Sequence, residues 1–114
     1  MKEKTMREMI LAQLGALRAD AGVEQVACKD TCVGDYLTGK ADALAVAMQM
    51  LEAKALLETM VHFLRHEATR NTNMAGSARL CAKDIMARIY EGKAAGYMAA
   101  SRVVTEVREA NEYE

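Results

Sequence analysis

Apolar residues recur at alternating steps of four and three along two long stretches of the chain, and no proline interrupts either stretch. Such steps place side chains on one face of an α-helix. The sequence therefore predicts two helices of about 36 residues, each with a continuous apolar face. The first face comprises Gly39, Ala43, Val46, Met50, Ala53, Leu57, Met60, Leu64 and Ala68, and the second comprises Ile85, Ile89, Gly92, Gly96, Ala99, Val103, Val107 and Ala110.

Composition supports an all-α fold. Apolar residues make up 52% of the 114 positions but aromatic residues only 4%, and Ala, Leu, Val and nine Met supply the apolar mass, which excludes an all-β fold. No apolar run approaches the ~20 residues that span a bilayer. Three cysteines cannot all pair within the chain, so we expect reduced thiols and a cytoplasmic protein.

Start and stop signals divide the chain into a single helical domain over residues 1–114. Thr5 and Glu8 form a capping box at the start of a first, short helix, and Ala21-Gly22 is a stop signal. Asp35 is a good helix N-cap, and the cluster from Asn71 to Ser77 is typical of a turn. The predicted elements are a helix over about 5–20, a connector over 21–34, a long helix over about 35–70, a turn over 71–77 and a long helix over about 78–112.

Two glycines lie within the apolar face of the last helix without shifting its spacing. We expect Gly92 and Gly96 to mark a helix crossing, where the missing side chains allow a neighbouring backbone to approach. The chain also resembles itself at an offset of 53 residues, which aligns residues 37–41 with 90–94 and Cys28 with Cys81. Chance similarity between alanine-rich helices is the alternative to a duplication.

A second apolar face on the first long helix has no obvious cover. Its residues are Leu44, Met48, Leu51 and Ala55, with Leu37 preceding them. A first helix of about 15 residues is too short to cover this face fully. The sequence therefore predicts a short N-terminal helix plus a long antiparallel hairpin, completed by homodimerisation into a helical bundle, with these four residues as the oligomer or partner interface.

Two other sets of residues suggest different functions. A candidate basic patch near the predicted turn would contact nucleic acid through Arg65, Arg70, Arg79, Lys83 and Arg88, although the net charge of −1 gives no overall attraction to phosphate. A candidate zinc site comprises Cys28, Cys32, His62 and His66, because each pair has four-residue helical spacing. Buried cysteines and solvent-facing histidines explain the same residues without a metal.

No catalytic set and no cofactor motif is evident in the sequence. We therefore expect a non-enzymatic, self-associating helical module that binds another protein. The general layout, a short helix followed by a long hairpin rich in Ala and Met, resembles small accessory proteins of phages and mobile elements. That resemblance implies binding to, or inhibition of, a host protein complex. The alternatives are a nucleic-acid-associated regulator and a zinc-binding protein.

Overall fold

Residues 2–112 are described by a computed structural model, and they form four α-helices without a strand. The helices are α1 (Lys2–Ala27), α2 (Thr31–Glu52), α3 (Leu57–Leu80) and α4 (Asp84–Glu112). The all-α prediction is therefore confirmed for the described residues. The predicted element boundaries differ from these, and residues 1, 113 and 114 of the predicted domain lie outside the described part.

The helices pack as two antiparallel pairs. In the first pair, Arg7 of α1 donates to the carbonyl oxygen of Ala55 at 2.7 Å, and Gln25 bonds to Thr38 near the other end. In the second pair, Arg79 of α3 donates to Glu91 of α4. The two pairs join mainly through α2 and α4, whereas α2 and α3 barely contact each other and α1 and α3 do not pack directly on each other within residues 2–112.

Glycines on both inner helices allow α2 and α4 to pack closely. A Cβ on Gly39 would overlap the carbonyl oxygen of Ile89 and lie 2.9 Å from the amide nitrogen of Lys93. A Cβ on Gly92 would correspondingly overlap the carbonyl oxygen of Tyr36. Along α2 and α4, the residue numbers of the contacting positions increase in the same direction. The two helices therefore run parallel and begin at the same end of the molecule.

Gly96 lies one turn beyond Gly92 on the same side of α4. A Cβ at Gly96 would lie 2.6 Å from the carbonyl oxygen of Lys40 and 2.8 Å from the Cβ of Ala43. Both glycines of the expected crossing therefore face α2. The crossing partner also supplies a glycine of its own, Gly39, which the sequence analysis placed only in an apolar face.

The hydrophobic core includes side chains from all four helices. Its largest fully buried apolar residues are Ile10, Leu14, Leu44, Met60, Leu64 and Val104. Five buried positions of α2 have a buried counterpart in α4 that lies 53 residues later in the sequence. These buried pairs are Gly39 and Gly92, Ala43 and Gly96, Leu44 and Tyr97, Ala47 and Ala100, and Leu51 and Val104.

The predicted long helix over 35–70 is wrong, because the chain turns after Glu52. Lys54 adopts a φ of 61°, and its amide donates to Leu51 while the amide of Ala55 donates to Met50. These two bonds form a Schellman motif, which normally has glycine at the left-handed position. Since the motif here uses lysine, no glycine or proline marked the turn in the sequence.

The predicted turn over 71–77 is also wrong, because these residues lie within α3. The side chain of Asn71 is buried and donates to the carbonyl oxygen of Glu67 at 2.8 Å, and the Thr72 hydroxyl donates to Ala68. The polar side chains thus bond to the preceding helical turn instead of ending the helix. The actual turn follows Leu80, where Ala82 has a φ of 58° in a second Schellman motif.

The first helix is longer than predicted at both ends, since it begins at Lys2 and continues to Ala27. Gly22 keeps a helical conformation, and no glycine in the described residues has a positive φ. Ala21 is buried and Gln25 bonds to Thr38 of α2, so contacts with α2 continue past the expected stop signal. The connectors 28–30 and 81–83 then lie 53 residues apart, as do the starts of α2 and α4. The offset in the sequence therefore relates the first helix pair to the second.

We expect Gly39→Ala and Gly92→Ala to lower the free energy of unfolding by about 1–3 kcal/mol each, because a methyl group would meet helix backbone rather than a flexible side chain. Gly76 is the matched control, since it lies in α3 with open space around its Cα. Gly76→Ala should raise the unfolding free energy by roughly 0.5–1 kcal/mol. Urea denaturation of the three variants measures the difference, and a gain in all three would show that α2 and α4 do not pack closely.

The left-handed residue after α3 provides a second test. Ala82→Gly should stabilise the protein by about 1 kcal/mol, because an L-residue with a Cβ is strained at positive φ. The same change at Ala16, an exposed residue within α1, should instead destabilise by roughly 0.5–1 kcal/mol. Thermal unfolding followed by circular dichroism compares the two. Equal losses at both positions would contradict the Schellman turn.

Candidate functional site: an exposed apolar end of the bundle

The four residues predicted to form the oligomer or partner interface are covered within the chain. Leu44 and Leu51 are buried in the core, and Met48 and Ala55 are half-buried. The cover is α1, because Met48 lies 3.8 Å from the position of a Cβ on Gly15 and Ala55 accepts the hydrogen bond from Arg7. The predicted interface is therefore wrong in this conformation. The physical reason is the turn after Glu52: α2 spans 22 residues instead of about 36, so the face to be covered is short enough for α1.

The five residues of the candidate basic patch do not form one surface. Arg65 and Arg79 lie fourteen residues apart on α3, about 21 Å along the helix, because no turn separates them. Arg70 pairs with Glu67 at 3.1 Å, Arg79 pairs with Glu91, and Arg88 pairs with Asp35 at 3.1 Å. The patch was predicted around a turn over 71–77, but these residues lie within α3, so the basic residues are spread along that helix and beyond it. The fifth residue, Lys83, is exposed in the connector before α4.

The cysteine and histidine pairs of the candidate zinc site are well separated. Cys28 and Cys32 flank the connector between α1 and α2, whereas His62 and His66 are exposed on α3. His66 lies fourteen residues before the end of α3, about 21 Å along that helix. Within residues 2–112, no group of three or more His, Cys, Asp or Glu side chains is placed to hold a metal ion.

Large apolar side chains are instead exposed at the end of the molecule where α2 and α4 begin. Leu80 and Val26, in the last turns of α3 and α1, are 92% and 90% exposed, and Ile85 at the start of α4 is 60% exposed. We call this surface the apolar end. Its members are Val23, Val26, Val33, Leu80, Ile85 and Met86. Summed over the six side chains, the exposed apolar surface is on the order of several hundred Å².

An ion pair holds the two halves of the apolar end together. Both the Nε and an Nη atom of Arg88 in α4 donate to one carboxylate oxygen of Asp35 in α2, at 3.3 and 3.1 Å. The hydrogen bond to Asp35 raises the pKa of the Arg88 guanidinium above its ordinary value. The pair thus keeps the starts of α2 and α4 side by side at this end of the molecule.

The other shifted group lies away from this end. Tyr97 is buried against Phe63, whose ring meets it edge to face at a centroid distance of 6.4 Å. Burial raises the pKa of the Tyr97 phenol, and the nearby carboxylate of Glu67 raises it further. Both influences keep the phenol neutral at ordinary pH, so Tyr97 acts as a packing residue in the contact between α3 and α4.

All three cysteines lie at or near the apolar end. Cys28 and Cys81 are the first residues of the two connectors, and Cys32 lies in the first turn of α2. All three are free thiols; Cys32 and Cys81 are exposed and Cys28 is half-buried. Cys81 is exposed because it lies in the turn that ends α3.

No family model, no curated protein and no solved structure matches the chain significantly. Among residues 2–112, no helix combines the length and the hydropathy that a bilayer span requires.

The sequence contained a sign of the apolar end, but the helical spacing of apolar residues did not reveal it. Val23, Val26 and Val33 lie where the apolar residues have no clear period, because none of them faces the core. Ile85 fits the period of the last helix but lies beyond the reach of α2 and α3. The available sign was that apolar residues flank a polar connector in both halves of the chain.

Leu44 and Leu56 distinguish a core residue from an exposed one. Leu44→Ala should lower the free energy of unfolding by about 2–5 kcal/mol, because the side chain is fully buried. Leu56→Ala removes the same atoms from a side chain that is 68% exposed, so we expect a change within about 0.5 kcal/mol. Urea denaturation at low micromolar concentration measures both. Similar values for the two variants would mean that α1 does not cover α2.

Proposed function

We propose that the protein is a non-enzymatic protein-interaction module that self-associates through its apolar end. The observation that carries this proposal is the exposure of six apolar side chains at the end of the molecule where α2 and α4 begin. Burying apolar surface stabilises an association by about 25 cal/mol for each Å² removed from water. The proposal keeps the homodimer that the sequence suggested but moves its interface from α2 to the apolar end.

A second copy of the chain suits this surface for two reasons. The apolar end has approximate two-fold symmetry, because Val33 and Met86 occupy equivalent positions in the two halves and Val26 and Leu80 each lie in the last turn of a helix. A two-fold dimer uses such a self-complementary surface on both subunits. The connectors also carry balanced charges, with Lys29 beside Asp30 and Lys83 beside Asp84. Two copies would therefore meet without net repulsion.

The proposed setting is the cytoplasm, where the exposed thiols of Cys32 and Cys81 stay reduced. A role as an accessory protein that binds a host protein complex, of the kind found in phages and mobile elements, is part of this proposal. The nucleic-acid alternative depends on five basic residues, three of which pair with carboxylates, and the zinc alternative depends on two pairs that lie apart. No feature of the described residues favours either alternative.

Leu80→Lys combined with Ile85→Lys should abolish self-association, because each dimer would have to bury four ammonium groups. The control is Leu56→Lys, which adds one lysine at an exposed leucine at the other end of the molecule. Light scattering after size exclusion at about 100 µM measures the mass. We expect a dimer for the wild type and the control, and the 12.5 kDa monomer for the double variant. A monomeric wild type would reject the proposal.

The native cysteines give an independent readout of the interface. In an end-to-end dimer, Cys32 and Cys81 of the two copies face each other across the contact, so mild oxidation should produce a covalent dimer on a non-reducing gel. A variant with all three cysteines changed to serine and with Leu56→Cys is the control, and it should stay uncrosslinked. A covalent dimer of this control variant, with none of the wild type, would place the interface at the opposite end.

A further inference from the structure

A groove runs along α4 between α2 and α3, which barely contact each other. Its floor consists of Ala94, Ala95, Met98 and Ala99 on α4, and its volume is about 570 Å³. One wall is formed by Tyr36 and Lys40 of α2, and the other by Ala68, Thr69, Thr72 and Asn73 of α3, with Arg102 at one end. None of these residues belongs to the apolar end.

The length of the groove suits a short α-helix. Both α2 and α3 pack on α4 and barely contact each other, which leaves an open trough between them. From Ala94 to Arg102 the groove covers nine residues of α4, about 12 Å, which accommodates a little more than two helical turns.

The floor offers the contacts that a helix makes when it lies in a groove. The three alanines keep the floor low, so an incoming backbone can approach α4 closely, and Met98 is a flexible apolar side chain that is 37% exposed. Leucine-like side chains spaced at i, i+4 and i+7 on the incoming helix would cover this floor. A small molecule would remain largely exposed in a trough of this shape, which favours a helical occupant.

The charges around the groove determine which charge a bound helix should carry. Lys40 and Arg102 are the charged residues among those that line it, and neither forms an ion pair within residues 2–112. The nearest cations of the candidate basic patch are neutralised, since Arg70 pairs with Glu67 and Arg79 with Glu91. The groove is therefore positive, and a partner with carboxylates beside its apolar stripe is complementary to it.

We propose that this groove binds an acidic amphipathic helix of another protein. The contact would be a helix-in-groove interaction, with apolar side chains on the alanine floor and carboxylates paired with Lys40 and Arg102. It is separate from the self-association at the apolar end and does not require it.

The test uses a designed peptide of about sixteen residues with leucines at i, i+4 and i+7 and glutamates on both sides of the leucine stripe. A second peptide with lysine in place of every glutamate is the matched control. Binding is followed by NMR of the methionine methyl groups, because Met98 lies in the groove while Met9 and Met86 are exposed elsewhere. We expect the glutamate peptide to shift the Met98 signal and to bind at least about tenfold more tightly than the lysine peptide.

Charge reversal identifies the residues responsible. Lys40→Glu together with Arg102→Glu should invert the preference between the two peptides, whereas Arg18→Glu, an exposed change on α1, should leave it intact. Ala95→Phe should weaken binding of both peptides by filling the floor of the groove. Far-ultraviolet circular dichroism checks that each variant is folded.

Three outcomes would overturn the proposal: an unmoved Met98 signal at about 1 mM peptide, equal affinity for both peptides, or shifts at Met86 instead of Met98. The variant with Leu80→Lys and Ile85→Lys separates the two interactions, because it changes the apolar end and leaves every groove residue in place. We expect it to bind the glutamate peptide like the wild type, whatever its oligomeric state.

Discussion

The close contact between α2 and α4 is the constraint on which the rest of the structure depends. Gly39 and Gly92 lie where each helix meets the backbone of the other, so the two axes come nearer than larger side chains would allow. Each glycine within a helix costs roughly 0.5–1 kcal/mol relative to alanine, and the dispersion contacts of a tight interface must offset that cost. Because the two helices run parallel, both connectors of the helix pairs lie at one end. The contact thereby creates the apolar end.

The same contact explains the groove. With α2 and α4 tightly packed, α1 and α3 occupy outer positions, and α3 packs on α4 with almost no contact to α2. One face of α4 is therefore left between two walls. In a conventional four-helix bundle with sequential neighbours, α2 and α3 would close this face. The fold thus presents two separate surfaces, one apolar with balanced charges and one lined with alanine and cations.

Part of this arrangement could be predicted from the sequence and part could not. Spacing of apolar residues predicted an all-helical chain and placed Gly92 and Gly96 on a packed face, because periodicity reports burial directly. Both turns were missed, since Lys54 and Ala82 occupy positions where glycine is the usual signal. The polar cluster from Asn71 to Ser77 was misleading, because its side chains bond to their own helix. Those errors moved the predicted interface onto Leu44, which α1 in fact covers.

The approximate symmetry of the two helix pairs has an electrostatic consequence at the apolar end. Asp35 and Arg88 are equivalent positions, 53 residues apart, and they face each other across the contact between α2 and α4. In a pair of identical helices, a charged residue at this position would face a copy of itself and be repelled. Joining the two halves in one chain allows opposite charges there, and the half-buried ion pair fixes the register of the parallel helices. The similarity of the two halves creates the contact between α2 and α4. The difference between them, Asp35 in one half and Arg88 in the other, contributes to that contact.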